Sequence, residues 1–207
     1  MLEPTFGLVL AGGLARRMGG GDKALIRIGN ETILERTLAR LSPQVDGIVL
    51  NANGNLARFA SFGLPVVADS VPDFAGPLAG ILAGLDWIAA NKPDTEWVVS
   101  VPGDCPFLPR DLVVKLHEAR EHENKPLACA HSGDWRHPVV GLWPVELRED
   151  LRRALLDEHL HKIEIWTARH GVAIADWPVT PVDPFFNVNT PEDAAAADRI
   201  ALQHRDL

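Results

Sequence analysis

Phe6-Gly7-Leu8-Val9-Leu10-Ala11-Gly12-Gly13-Leu14-Ala15-Arg16-Arg17-Met18-Gly19-Gly20-Gly21-Asp22-Lys23 changes character twice, from apolar to glycine-rich to cationic. The apolar run over 6–11, ending at a glycine pair, reads as a buried strand entering a tight loop. Beyond the loop, Ile33, Leu34, Thr37, Leu38 and Leu41 recur at helical spacing. Glu31, Glu35, Arg36 and Arg40 fill the other face and Pro43 supplies the stop. Strand, glycine loop and helix in that order are the opening of an α/β fold.

Working outward, the pattern repeats. Residues 47–50 read as a second strand, 55–62 as a short helix, 65–68 as a third strand, 78–90 as an Ala- and Gly-rich helix, 97–101 as a buried strand and 109–122 as another helix. Such alternation predicts a parallel sheet. After Pro126 the grammar changes: 127–131 and 137–143 flank Ser132-Gly133-Asp134-Trp135, a turn of the kind that joins antiparallel strands. Helices over 146–157 and 159–169, a strand over 172–176 and a helix over 191–204 complete the chain. The expected fold is α/β: one domain over 1–207, with a doubly wound, mostly parallel but mixed sheet in a Rossmann-like three-layer sandwich.

Composition narrows the function classes. The 207 residues are 46% hydrophobic and 23% charged, enough to build one sizeable core. A formal net charge of −8 argues against nucleic acid or an anionic membrane as partner, since both demand a basic surface. No apolar run approaches a membrane span, and Met1-Leu2-Glu3-Pro4 lacks the basic start of a signal peptide, so a cytoplasmic enzyme is the expectation. Cys105 and Cys129 have no metal-ligand spacing and are expected to be reduced thiols. One local exception to the acidity exists: Arg16, Arg17, Lys23 and Arg27 outnumber Glu3 and Asp22 within the first thirty residues.

That exception coincides with the loop. Glycines let backbone N–H groups approach phosphate oxygens, and the neighbouring cations neutralise their charge. The spacing is not that of a P-loop, because Ala24 follows Lys23, nor that of the dinucleotide fingerprint. The second constellation is Ser100-Val101-Pro102-Gly103-Asp104-Cys105-Pro106-Phe107-Leu108-Pro109, in which a carboxylate follows directly on a buried strand between two prolines. Ligands of doubly wound sheets collect at such strand ends. An acid there can coordinate Mg²⁺ alongside water and substrate phosphate. Cys105 has no evident base to make it a nucleophile, and His159 and His161, two apart in an expected helix, do not face one another.

The loop L-A-G-G-x-x-x-R-M-G-G-x-D-K, filled by Leu10 to Lys23, resembles the signature of the molybdenum cofactor guanylyltransferases, within the GT-A-like nucleotidyltransferases. Val49-Leu50-Asn51-Ala52-Asn53, Ala68-Asp69-Ser70, Gly76-Pro77-Leu78-Ala79-Gly80, the Asp104 segment, His137-Pro138 and Phe186-Asn187-Val188-Asn189-Thr190-Pro191-Glu192-Asp193 follow in the family's order. The resemblance covers nearly the whole chain; the loop and the terminal asparagine stretch are its specific parts. It implies that Leu10, Ala11, Gly12 and Gly13 contact the nucleotide through the backbone, with Arg17 and Lys23 on its phosphates. Asn51 and Asp69 would hold the nucleoside, Asp104 the magnesium ion, and Asn187 and Asn189 the side of the incoming pterin phosphate. Gly103 departs from the pattern, standing where many members carry a small thiol residue.

The implied reaction is transfer of GMP from Mg·GTP to the terminal phosphate of molybdopterin, giving the dinucleotide cofactor and pyrophosphate. Arg17, Lys23 and Asp104 would be its catalytic residues. Proteins of the molybdenum cofactor pathway and apo-molybdoenzymes are the implied partners. Two alternatives stay open on the residues alone. One is a nucleotidyltransferase of other specificity, using CTP on the same pterin or acting on a sugar phosphate, although the Gly12-Gly13 pair resembles the GTP users. The other is a non-catalytic carrier of nucleotide or pterin.

Overall fold

The computed structural model describes residues 3–12, 22–71 and 76–204. Strand β1 (Thr5–Leu10) is buried on both faces. Phe6 and Leu8 pack into one hydrophobic cluster and Val9 into another, which is the two-residue period of a strand covered on both sides. A short ribbon, β2 (Arg27–Ile28) and β3 (Glu31–Thr32), leads into helix α1 (Ile33–Leu41). Thr32 and Glu35 form a reciprocal capping box at its start, satisfying orphan N–H groups. Ile33, Leu34, Thr37, Arg40 and Leu41 are its buried stripe.

The chain continues through β4 (Ile48–Asn51), a 3₁₀ helix over Leu56–Phe62, β5 (Val66–Val67), α2 (Pro77–Asn91), β6 (Trp97–Pro102) and α3 (Leu112–Glu123). It then forms β7 (Leu127–Ser132), β8 (Trp135–Pro144), α4 (Arg148–Leu156), α5 (Ile163–His170), β9 (Val172–Trp177) and α6 (Pro191–Gln203). The seven-stranded sheet runs β5-β4-β1-β6-β8-β7-β9. Among its neighbours only β6–β8 and β7–β8 are antiparallel, so β8 alone runs against the rest. The expected doubly wound, mixed sheet is present. Leu34 and Leu41 of α1 and Leu112, Val113 and Leu116 of α3 cover one face. Residues of α2, α4 and α5, Trp166 among them, cover the other. A third cluster of Ile28, Ile33, Phe107, Val188 and Ala197 fastens α6 and the ribbon beside α1.

The elements differ from expectation in four places. The β2–β3 ribbon was not anticipated, because two-residue strands carry no readable alternation. The 55–62 segment is 3₁₀ rather than α, closed by Gly63 at φ 64°. The helix expected from 146 is 3₁₀ over Val145–Leu147 and α-helical only from Arg148. The helix expected from 159 begins at Ile163, since His159 takes a left-handed φ of 52°. His159 and His161 therefore lie in a connection and not on a helix. Among the described residues no helix is long and apolar enough to cross a membrane, and both cysteines are free thiols.

At the amino end of the sheet, His117 is buried against Trp97. The Thr5 hydroxyl donates to the Glu3 carbonyl, so His117 Nε2 donates to Thr5, while Nδ1 accepts from Arg120 Nε at 3.2 Å. The bond accepted at Nδ1 requires the neutral ring. Burial, then the Arg120 charge, lower its pKa below the ordinary histidine value against the pull of Glu3 and Glu121. A depressed histidine pKa stabilises the fold above the unfolded value of about 6.5, and that contribution fades as pH falls through it. His117→Gln should therefore lose stability most at pH 8, and the gap to the parent chain should narrow by pH 5 in urea denaturation. A gap independent of pH would show that His117 is not held neutral.

Candidate active site

The site forms where the winding reverses. From β1 the chain passes outward to β4 and β5, then crosses back to β6 on the other side of β1. Ligands of open α/β sheets bind at this switch point, beyond the carboxyl ends of the strands. Here β1 and β6 stay in register to their last residues, Leu10 against Pro102, and Gly103 N donates to the Leu10 carbonyl at 2.9 Å. A Cβ at Gly103 would press the Ala11 Cα and the Leu10 carbonyl oxygen at 3.2 Å, so its absence lets the two strand ends close up. Ala11 and Gly12 leave one strand beside Asp104, which leaves the other.

Three side chains of α1 and its extension pin the segment after Asp104. Thr37 Oγ1 lies 3.0 Å from the Cys105 carbonyl, Arg40 Nε donates to the Leu108 carbonyl at 2.7 Å, and Gln44 Nε2 donates to the Pro109 carbonyl at 2.9 Å. The carbonyls of a proline-rich turn thus find donors in the neighbouring helix layer. Val188 N closes the other side, donating to the Asp104 carbonyl at 3.0 Å.

Asp104 and Lys23 meet across the switch point. Their Nζ–Oδ2 separation of 3.9 Å, with both side chains 21% exposed, is an ion pair too long for a hydrogen bond. Burial pushes the Asp104 carboxyl above the usual carboxylate range, and Lys23 offsets this only in part. A partly desolvated carboxylate with an incomplete counter-charge fits a cation. Among the described residues no group of three or more His, Cys, Asp or Glu side chains gathers to hold a metal. Asp22, the acid of the loop, is neutralised by Arg58 at 2.6 Å and does not compete for Lys23.

On one side of this pair lies a cavity of ≈ 420 Å³ lined by Leu10, Gly12, Asn51, Asn53, Asp69, Gly76, Pro77, Pro102 and Val139. Asp69 is held there by two amides: Asn51 Nδ2 donates to Oδ1 at 2.9 Å and Asn53 Nδ2 to Oδ2 at 2.8 Å. Its own N–H donates to Asn53 Oδ1 at 2.9 Å. Asn53, at the end of the 49–53 segment, is a site residue to which the resemblance gives no role. Asn51 is itself nearly buried, and α2 approaches it so closely that a Cβ at Gly80 would stand 2.4 Å from its Oδ1.

On the other side lies a cavity of ≈ 300 Å³ lined by Pro102, Asp104, Cys105, Arg136, His137, Pro138, Val139, Val140, Asn187 and Asn189. Its wall is a bulge in β8. Cys129 pairs with Gly141 and the next residue, Ala130, with His137, which leaves 138–140 unpaired. Pro138 has no N–H for the ladder, and the Ser100 hydroxyl secures the bulge by donating to the Val139 carbonyl at 2.6 Å.

The asparagines alternate with a buried valine: Val188 enters the core while Asn187 and Asn189 stay on the cleft side. Cys105 Sγ donates to Asn187 Oδ1 at 2.8 Å, and Lys23 Nζ donates to Asn189 Oδ1 at 2.5 Å. Both amide oxygens are thereby occupied, so each residue presents its NH₂ as a donor, the polarity an anionic group requires. Burial, then Asp104 and Asp183, raise the Cys105 thiol well above its ordinary pKa, which keeps it a donor and not a nucleophile. The Thr190-Pro191-Glu192-Asp193 part of the motif has a folding role. It is the capping box of α6, and Asp193 also accepts from Asn189 N at 2.9 Å.

Of the expected site residues, Leu10, Gly12, Asn51, Asp69, Asp104, Asn187 and Asn189 line these two cavities, and Ala11 and Lys23 line a smaller pocket that shares Leu10 with the first, Asp104 with the second and Pro102 with both. Gly13 and Arg17 lie outside the described residues.

Residues 7–171 match the model of the MobA-like NTP transferase domain. The chain is similar to a molybdenum cofactor guanylyltransferase of Nitrobacter hamburgensis, 62% identical over 97% of this chain and 96% of the relative. One from Rhodopseudomonas palustris is 60% identical over 96% and 95%. The fold matches the crystal structure of molybdopterin-guanine dinucleotide biosynthesis protein A from Archaeoglobus fulgidus, with a TM-score of 0.75, 22% identity and coverage of 96% and 99%. The chain belongs to the molybdenum cofactor guanylyltransferase family.

The Gly80–Asn51 contact yields a test. Gly80→Ala should force Asn51 off Asp69 and raise the Kd for nucleoside triphosphate about tenfold, with a stability loss on the order of 1–3 kcal/mol from overpacking. Calorimetric titration and thermal melting read the two effects separately. An unchanged Kd would remove the Asn51–Asp69 pair from the nucleotide site.

Proposed function

We propose that this protein, as a member of that family, transfers GMP from GTP to the terminal phosphate of molybdopterin, releasing pyrophosphate. The observation that carries the reading is the Asp104–Lys23 pair between two cavities at the β1–β6 switch point. One cavity takes the nucleotide and the other the acceptor, both on one domain over 1–207. An oxygen of the acceptor phosphate forms a bond to the α-phosphorus as the bond to the leaving pyrophosphate oxygen breaks. A phosphate monoester is largely anionic near neutral pH, with a second pKa of about 6, so no strong base is needed. The obstacle is repulsion between anions, which makes positioning and charge stabilisation the protein's task.

In this reading the backbone of Leu10, Ala11, Gly12 and Gly13 lies along the nucleotide, while Asn51 and Asp69 hold the nucleoside. Lys23 and Arg17 neutralise the phosphates, and the amide donors of Asn187 and Asn189 orient the acceptor phosphate. Asp104 would hold Mg²⁺, which when bound supplies positive charge to the transferring phosphoryl group. The ion is proposed from the carboxylate's desolvation and its incomplete counter-charge. The proposed compartment is the cytoplasm, which keeps thiols such as Cys105 and Cys129 reduced. Molybdenum cofactor pathway proteins and apo-molybdoenzymes are the proposed partners.

Pyrophosphate release from GTP with added molybdopterin tests the reaction; binding of both without release would instead favour a carrier. Asp104→Ala should abolish turnover while GTP still binds weakly, and Lys23→Ala should lower turnover by a factor on the order of 10²–10³, the usual cost of one charge-stabilising group. Turnover at the parental rate in either variant would remove that residue from the machinery. GTP should bind more tightly than CTP, ATP or UTP, and a preference for CTP would overturn the choice of base.

A further inference from the structure

Behind His137, which lines the acceptor cavity, runs a hydrogen-bond chain that the transfer chemistry leaves unused. Ser132 Oγ donates to Asp183 Oδ1 at 2.8 Å and lies 2.8 Å from His137 Nε2. The serine hydroxyl has one hydrogen, and the carboxylate can only accept, so that hydrogen goes to Asp183. His137 Nε2 must then carry a proton and donate it to Ser132 Oγ. Asp183 is itself fixed, since its Oδ1 also accepts from Phe185 N at 3.0 Å. The His137 ring packs on the buried Phe185 with centroids 4.6 Å apart. Its orientation and its tautomer are therefore both set from behind. Burial, assisted by His131, lowers the ring's pKa below the ordinary value against the pull of Asp183, which favours the neutral form.

In that form Nδ1 bears a lone pair, and among the described residues it has no hydrogen-bond partner. His137, the paired residue just before the β8 bulge, lines the acceptor cavity together with the Asn187 and Asn189 donors. The cavity thus offers donors beside Asp104 and an oriented acceptor at the bulge.

We infer that His137 is a specificity-determining residue for the second substrate, using Nδ1 to accept a hydrogen bond from an N–H of its heterocycle, with Ser132 and Asp183 as positioning residues. The inference rests on the proposed acceptor being a pterin, whose ring amide and exocyclic amine are N–H donors. A heterocycle presenting only acceptors to Nδ1 would be refused, because a polar group left unpaired on binding is costly.

The test combines two readouts. Nitrogen NMR of the histidine-labelled protein with GTP bound should show His137 protonated at Nε2 and bare at Nδ1, and Ser132→Ala should release this preference. His137→Phe keeps the ring stack and removes the acceptor. It should raise the KM for molybdopterin about tenfold, the size of one hydrogen bond, with the Kd for GTP unchanged. His137→Asn places an oxygen near the position of Nδ1 and should recover part of the loss. A parent ring protonated at Nδ1, or a His137→Phe enzyme with the parental KM, would overturn the inference. So would a loss shared equally by GTP and pterin, which marks a purely structural role. If the parent enzyme makes no dinucleotide, the proposed reaction fails instead, and the nitrogen shifts still decide the state of Nδ1.

Discussion

The register of β1 against β6 governs the site. Because these parallel strands end together at Leu10 and Pro102, and Gly103 donates back to the Leu10 carbonyl, the glycine loop and the Asp104 turn must emerge side by side. Had the pairing slipped by one residue, the alternation of Phe6, Leu8 and Val9 between the two cores would have been reversed. The hydrophobic pattern that makes the sheet stable thus also fixes where Ala11 and Gly12 and the Asp104 turn leave the sheet. Stability and chemistry share one constraint.

From that junction the electrostatics follow. Asp104 is desolvated by its burial at the end of β6, and Lys23 answers it from a distance of 3.9 Å without offsetting that burial in full. On the proposed reaction, residual negative charge beside the polyphosphate would be unfavourable until a cation entered, and metal and nucleotide binding would be coupled. The same lysine engages Asn189, and Cys105, next to Asp104, engages Asn187. Lys23 of the ion pair and Cys105 beside Asp104 therefore each set the polarity of an amide that lines the second cavity. The two cavities thus meet at shared residues, since Pro102 and Val139 line both.

Much of this was legible in the chain. The apolar run over 6–11, the helical spacing of Ile33, Leu34, Thr37 and Leu41, and the turn at Gly133-Asp134 are local signals, and each produced the expected element. The change of grammar after Pro126 pointed to a mixed sheet, and the sheet is mixed, although its strand order and the reversal of β8 are set by pairings the sequence pattern does not carry. What escaped is non-local or cancels a local signal. His137-Pro138-Val139-Val140-Gly141 reads as uninterrupted strand, yet three residues bulge out to build the cavity wall, and only Pro138 hints at it. Asn53 looks like a loop residue until β5 brings Asp69 beside it. The Ser132–Asp183 bond joins residues 51 apart, beyond any periodicity.

The terminal motif shows why a specific pattern need not be a pattern of contacts. In Asn187-Val188-Asn189-Thr190-Pro191-Glu192-Asp193 only the asparagines line the cavity. Val188 anchors the segment in the core, and Thr190 with Asp193 starts α6 and holds the Asn189 backbone. Capping groups of this kind contribute roughly 0.5–2 kcal/mol each. Their larger effect here is on placement, since a frayed α6 would release Asn189 from Lys23 and disturb the cation that faces Asp104. A motif read as binding chemistry is thus mostly folding chemistry that keeps two amides where an anion must meet them.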